Sequence, residues 1–363
     1  MKGFLNRRKF LRLTAFGIGS AILARFLSAC APRTGEAATN TAVRSAPAGA
    51  STVTVTAAGA SPSPLPQETA PAAATPTSSP AYLAVAHGGD NPEVLVRNAV
   101  EAIGGMQRFV PAGARVLIKP NICVAGRTYD QAATTNPWVV GALVRLCREA
   151  QAGSVVVLDY PFWKSSQEAY VDSGIREQVE AAGGEMIHTS TYYTDSDGTY
   201  RWVDYGNWVD IELPGARRLK SVQMIDEVLA ADVLINVPIA KNHDLTRLTL
   251  GMKNLMGVVH NRPAVHSWIH EKLPELAAFL RPALTVVDAV RILTANGPRG
   301  GSLDDVVETD TVIASHDIVA ADAYATSLFG LTPEDIGYIV KGEEAGLGTS
   351  NLSSIAIRDI SLG

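Results

Sequence analysis

The chain has 363 residues, with 31 Lys and Arg against 36 Asp and Glu, a net charge of −5 and 47% hydrophobic residues. That balance argues against nucleic acid or an anionic lipid surface as the main partner. Its three cysteines leave room for at most one disulfide once Cys30 is set aside, and no Cys-x-x-Cys pair is present to build a zinc site or a cluster.

The N-terminus reads MKGFLNRRKFLRLTAFGIGSAILARFLSAC. A basic start, a short apolar stretch interrupted by Arg25 and small residues before Cys30 make a signal peptide over residues 1–29. A spanning helix would need about 20 apolar residues. Asn6-Arg7-Arg8-Lys9-Phe10-Leu11 resembles the twin-arginine (Tat) export motif, and Leu27-Ser28-Ala29-Cys30 resembles a lipobox. The expected partners are therefore the Tat translocase during export and the membrane through a lipid on Cys30. The expected location is the outer face of the cell membrane. Tat substrates cross folded, often with a cofactor inserted beforehand, so a metal ion or a bound organic cofactor fits this route.

After Cys30, residues 31–80 are almost all Ala, Thr, Ser, Pro and Gly. Such a segment cannot bury enough apolar surface to offset its ordering entropy and reads as a disordered tether about 40 Å in mean span. Six cations and no acid precede Cys30, so removing them takes the net charge from −5 to about −11. A local group of cations in the remaining chain carries information for that reason.

Residues 81–363 read as one α/β domain. Short apolar runs predict strands at 82–86, 115–119, 154–159, 233–238, 284–290 and 311–315; most lack polar alternation, as in strands buried on both faces. Helices are predicted from Asn91-Pro92-Glu93 onward and over 137–150, 168–182 and 317–329. This alternation predicts a mostly parallel sheet flanked by helices. Residues 188–213, rich in aromatics around a Ser-Asp-Gly turn, read as a β-hairpin insertion.

Ligands of open α/β sheets bind beyond the carboxyl ends of the strands. Here those ends carry Lys119-Pro120-Asn121, Asp159, Asn236 followed by Lys241 and His243, and Asp288 followed by the turn from Gly297 to Gly301. If the strands are parallel neighbours, these sets meet on one edge. Lys119, Lys241, Lys253 and Arg262 suit a carboxylate or phosphate. Thr134-Thr135-Asn136-Pro137 reads as a helix start whose free N–H groups face an anion, and Gly297 with Gly300 as a backbone nest. The bland alternatives are a helix cap, an ordinary turn and, for Lys253, a solvated charge.

Four histidines lie between positions 243 and 270. On one helix His266 and His270 would share a face, as in zinc sites, although no HExxH pattern is present. His243 is the better acid–base candidate on account of an ordinary pKa near working pH. Asp159 and Asp288 are the candidates to orient a base or hold a divalent cation. Cys123 reads as a nucleophile, a metal ligand, or a buried or disulfide-bonded thiol, and Cys147 reads as core. No G-x-S-x-G, Walker loop or G-x-G-x-x-G after a strand occurs, so serine hydrolase, P-loop and ordinary dinucleotide readings lose support.

Lys119-Pro120-Asn121 and Thr134-Thr135-Asn136-Pro137 resemble the first motif block of the prokaryotic family called domain of unknown function 362. Ile235-Asn236-Val237-Pro238 with Lys241 and His243, then Thr249, Lys253-Asn254 and Gly257, resemble the next. Arg262, His266, Arg281-Pro282, Asp288, Gly297-Pro298 with Gly300, and residues 317–322 resemble the later ones. The resemblance spans roughly residues 82–330. It points to the residues that matter without naming their reaction: Lys241, His243 and His266 are the candidates for catalysis, and Lys119, Asn121, Thr134, Thr135, Asn236, Lys253, Asn254, Arg262, Gly297 and Gly300 the candidates to hold a substrate or cofactor. Many relatives carry an appended ferredoxin-like domain; this chain lacks those cysteines, so an iron–sulfur cluster does not carry over. The sequence thus points to an exported lipoprotein with an anion- or cofactor-binding cleft acting on a small anion. The alternatives are a non-catalytic solute- or cofactor-binding lipoprotein and a redox accessory subunit.

Overall fold

A computed structural model describes residues 80–162 and 165–363. The export signal, Cys30 and nearly all of the tether lie outside the described residues. In chain order, β1 (Leu83–His87) is followed by α1 (Pro92–Ala102), β2 (Arg115–Pro120), α2 (Pro137–Glu149), β3 (Ser154–Val157), α3 (Ser166–Asp172), α4 (Ile175–Ala181) and β4 (Glu185–Met186). Next come β5 (Ser190–Thr194), β6 (Tyr200–Asp204), β7 (Trp208–Glu212), β8 (Ser221–Ile225), α5 (Asp226–Ala230), β9 (Val233–Val237), β10 (Ile239–His243) and β11 (Arg247–Thr249). The chain ends with α6 (Gly251–Asn254), α7 (Pro263–His266), α8 (Ile269–Leu280), β12 (Leu284–Leu293), β13 (Val306–Ser315), α9 (Ile318–Thr326), α10 (Gly337–Glu344) and β14 (Ile357–Ser361).

One ten-stranded sheet runs β14-β1-β13-β12-β9-β2-β3-β4, with β10 on β12 and β11 on β10. Its central strands β12, β9, β2, β3 and β4 are parallel, and β13 lies antiparallel between β12 and β1. Side chains alternate across the pleat, so one strand feeds two cores. Leu117, Val156 and Leu234 enter the core under α8, α9 and α10, while Val116, Ile118, Val155 and Ile235 enter the one under α1, α2 and α4. Helix α2 shows why this closes. Pro137 occupies its first turn, Asn136 Oδ1 accepts from Trp138 N, and Val139, Val140, Leu143, Val144 and Cys147 form its buried face. Each fully buried Val or Leu there contributes about 1.5–3 kcal/mol.

The α/β class and the parallel centre agree with the sequence reading, and three local expectations need correcting. Residues 168–182 form two helices, because Gly174 takes φ +73 between α3 and α4. The insertion is larger than one hairpin: β5 pairs with β6, and β7 with β8 as a second two-stranded unit reaching Ile225. His266 and His270 do not share a helix face. Trp268 sits at φ +60 and separates α7 from α8, so the zinc-like spacing is lost.

Candidate functional site

The four parallel strands β12, β9, β2 and β3 do carry their polar ends to one edge. Pro238 bends the chain so that β9 pairs with Leu284 and Thr285, and β10 continues along β12 from Asp288 to Leu293. This bend brings Lys241 beside the end of β2. Its ammonium donates to Asn121 Oδ1 (2.9 Å), Ala133 O (2.6 Å) and Pro298 O (3.0 Å).

Asn254, on the short helix α6, is the hub. Its Oδ1 accepts from Lys119 Nζ (2.8 Å) and Asn121 Nδ2 (3.0 Å), and its Nδ2 donates to Lys119 O (3.1 Å) and Asn236 Oδ1 (2.9 Å). Asn236 Nδ2 in turn donates to Gly251 O at 3.0 Å. Lys119 Nζ also lies 3.0 Å from Asp159 Oδ1, a pair in which both side chains are buried. Gly257 packs directly on that pair, and a Cβ at this position would overlap Asp159 Oδ1 and the end of Lys119.

The charge inventory is lopsided. Lys119 and Lys241 are 1% exposed and Lys253 is 8% exposed, so Lys253 is not a solvated charge. Arg262 is partly buried, stacks on the Tyr160 ring at 4.6 Å and donates to Pro161 O at 3.1 Å. The buried carboxylate facing them is Asp159; Asp244 is largely exposed and Asp204 acts on Arg262 from the side. Burial lowers the pKa values of Lys119, Lys241 and Arg262, and neighbouring cations add to that effect on Lys119. Lys253 is brought down to about 8, by burial first and then by Lys241.

Three polar groups here have no good partner among the described residues. Lys253 Nζ meets only the thioether of Met256, at 3.9 Å. The hydroxyls of Thr134 and Thr249 are buried without any partner. Thr249 lies opposite Lys241 in the β10–β11 pair, so the two side chains share a face. Unsatisfied buried donors beside excess positive charge are groups that an anion could satisfy.

The histidines differ from expectation. Burial, with the charges of Lys253 and Lys241, takes His243 down to about 3, so it is neutral at physiological pH rather than poised there. Leu245 N–H points at both His243 Nδ1 (3.0 Å) and Asp244 Oδ1 (2.8 Å). In the tautomer protonated at Nδ1, the Nδ1–H donates to the Asp244 carboxylate at 2.8 Å and Nε2 keeps its lone pair. His266 is exposed and its Nδ1 faces Arg262 O at 3.0 Å, which likewise frees Nε2. Burial and Lys253 lower its pKa.

Other expected contacts turn inward. The N–H groups at the start of α2 do not face a ligand, since Asp288 Oδ2 accepts from Asn136 N at 2.6 Å and Thr135 N donates to Asn121 O. Thr135 Oγ1 is also engaged, accepting from Asn121 N and donating to Val237 O. Gly297 N donates to Asn242 Oδ1 and Gly300 N to Asn296 O, so this turn presents carbonyls to the site instead of a nest. Asp288 also accepts from Val290 N, and full burial raises it to about 7. It therefore braces α2 and β12, whereas Asp159 pairs with Lys119. Among the described residues no group of three His, Cys, Asp or Glu side chains is placed to hold a metal ion. Cys123 and Cys147 are both free; Cys123 is half-buried with Sγ 3.6 Å from Pro298 O, and Cys147 is core. Thr249, with its unpartnered buried hydroxyl, is absent from the candidates the sequence offers, although its place in the motif blocks was the available signal. A recess of about 1260 Å³ lies at the opposite edge of the sheet around Asp232, Leu234 and Phe279, away from the cations.

Residues 116–327 match the family model described as Domain of unknown function (DUF362). The thylakoid-associated protein sll1697 of Synechocystis sp. (strain ATCC 27184 / PCC 6803 / Kazusa) is 29% identical over 265 residues, covering 69% of this chain and 74% of that protein. Among solved structures, the lactate racemase apoprotein of Thermoanaerobacterium thermosaccharolyticum superposes with a TM-score of 0.42 at 13% identity, covering 69% of this chain and 57% of that one. A structural-genomics target from Thermotoga maritima gives a TM-score of 0.35 at 10% identity, covering 67% of this chain and 60% of that one. The chain thus spans less than two thirds of either solved chain. The family match takes in every strand end that feeds the cation cluster, and the chain belongs to the DUF362 family.

Proposed function

We propose that this domain binds a small, multiply charged anion at the edge where β2, β3, β9 and β10 end, and acts on it as an enzyme with His243 as the proton-handling group. The observation that carries the reading is the buried surplus of cations: Lys119, Lys241, Lys253 and Arg262 against Asp159. Each buried ion costs several kcal/mol of desolvation unless compensated, so a fold retaining this surplus gains most when an anion arrives.

The roles divide by what each group already holds. Lys241 has three oxygen acceptors and clamps the loops at Ala133 and Pro298, so it contributes charge but has no spare proton to move. Lys253 Nζ and the Thr134 and Thr249 hydroxyls are the open donors. Burial is the main cause that holds His243 near 3, and an anion among these groups would cancel the part added by Lys253 and Lys241 and so raise its pKa. The imidazole would thus become an effective base only with ligand present.

In this reading the domain works outside the cytoplasm, tethered by lipid on Cys30. The motifs at residues 6–11 and 27–30 support it, as does the membrane address in the name of the relative sll1697. A carrier without chemistry is the competing function. Calorimetric titration with phosphate, sulfate and small carboxylates, on wild type, Arg262→Met and His243→Gln, tests both. The expected result is binding lost in Arg262→Met and kept in His243→Gln. Absence of binding by any of these anions would sink the proposal.

A further inference from the structure

We propose that Lys253 is a nucleophilic amine that condenses with the carbonyl group of a small oxo acid, forming an imine within the cation cluster. The inference rests on the anion-binding reading above and adds a covalent step to it.

The three site lysines are not equivalent. Lys119 Nζ is held by Asn254 Oδ1 at 2.8 Å and Asp159 Oδ1 at 3.0 Å. Lys241 Nζ is held by three oxygens between 2.6 and 3.0 Å. Burial lowers both of these lysines, but oxygen acceptors around an ammonium favour its protonated form and oppose that shift, and they occupy the nitrogen. Among the described residues Lys253 Nζ has only Met256 Sδ, at 3.9 Å, a weak acceptor. Its backbone is fixed all the same. Asp322 accepts from Gly251 N (2.6 Å) and Met252 N (3.0 Å) at the start of α6, and Asn254 is the hub described above.

The charged and titratable groups bearing on this amine are Lys241, Arg262, Cys123 and Asp244, with His243 and His266 on the same side. A desolvated lysine beside other cations is a recognised way of making an amine nucleophilic near neutral pH. With its pKa near 8, a useful fraction is unprotonated in solution at pH 7 to 8. Arg262, stacked on Tyr160, is placed to take the carboxylate of the oxo acid.

The step balances without an oxidant. The Lys253 lone pair adds to the carbonyl carbon and the C=O π pair moves to oxygen, which receives a proton passed from the amine through His243 Nε2. The carbinolamine hydroxyl then takes up the proton that Lys253 released to solvent on becoming an amine and leaves as water, while the nitrogen lone pair forms the C=N bond. The sum is one ammonium and one ketone giving one protonated imine and one water.

The test is reductive trapping on the full chain. Protein is incubated with pyruvate or 2-oxoglutarate and cyanoborohydride, then digested and mapped by mass spectrometry. In parallel, trinitrobenzenesulfonate reports amine reactivity without requiring the right oxo acid. Both reagents are expected to mark Lys253 ahead of surface lysines, since a pKa near 8 against 10.5 makes its unprotonated fraction at pH 7 about 300-fold larger. Phosphate should protect it. Lys253→Arg should lose the adduct, with circular dichroism verifying its fold. Phosphate binding with Lys253 no more reactive than surface lysines towards either reagent overturns the imine alone. Loss of phosphate binding in wild type overturns the anion reading beneath it.

Discussion

Lys119 and Lys253 are two buried lysines of one site with opposite energetics. Lys119 is paired with Asp159, and removing one partner of a buried pair strands the other. Lys119→Met is therefore expected to cost about 3–5 kcal/mol in urea unfolding. Among the described residues Lys253 has no counter-ion of its own, and bringing its pKa from 10.5 to about 8 corresponds to about 3 kcal/mol held against its charged form in the fold. Lys253→Met should raise stability by about 1–3 kcal/mol while removing anion affinity. The sequence made both visible as lysines after strands but could not separate them, because the difference lies in which oxygens surround each ammonium. For the same reason His243 was legible as a site residue while its shift to about 3 was not.

At the scale of elements, the turn after α6 matters as much as the side chains. Gly257 is where the Lys119–Asp159 pair touches backbone, so Gly257→Ala must push the pair apart. A loss of about 1–3 kcal/mol, with weaker anion binding, is expected from chemical denaturation and calorimetry together. Under α2, Asp288 is raised to about 7 by burial although two N–H groups donate to it. Between pH 4 and 7 the folded chain then holds a proton that the unfolded chain has released, so this group lowers stability as pH rises through that window. Asp288→Asn removes the dependence, and its stability relative to wild type should climb from pH 4 to pH 7 and level off above. Strands were readable here because each is a short apolar run with a polar end. Less legible was the break at Trp268, where a non-glycine residue takes a left-handed conformation without any local signal. The split at Gly174 did carry one, in the glycine itself.

For the whole molecule, the sheet order turns scattered motifs into one place. β12, β9, β2 and β3 are adjacent and parallel, so residues from 119 to 262 meet at a single edge. β1 runs parallel to β12, both being antiparallel to β13, and Leu83 therefore begins at the opposite edge. Convergence was readable from strand ends alone. The Asn236–Asn254 network was not, since α6 reaches back across β9 through contacts that no spacing announces. Export belongs to this scale as well. Metabolic labelling with a fatty-acid analogue should mark the wild-type chain and leave Cys30→Ala unlabelled; labelling of both would refute lipid attachment at Cys30.

The central claim is that buried cations await an anion, and titration calorimetry with phosphate at pH 7 and pH 9 tests it most directly. Binding at pH 7 should weaken by about tenfold at pH 9 as Lys253 loses its proton, with proton uptake appearing as heat that varies with the buffer. Absence of phosphate binding, or an affinity indifferent to pH and to Lys253→Met, would contradict the account.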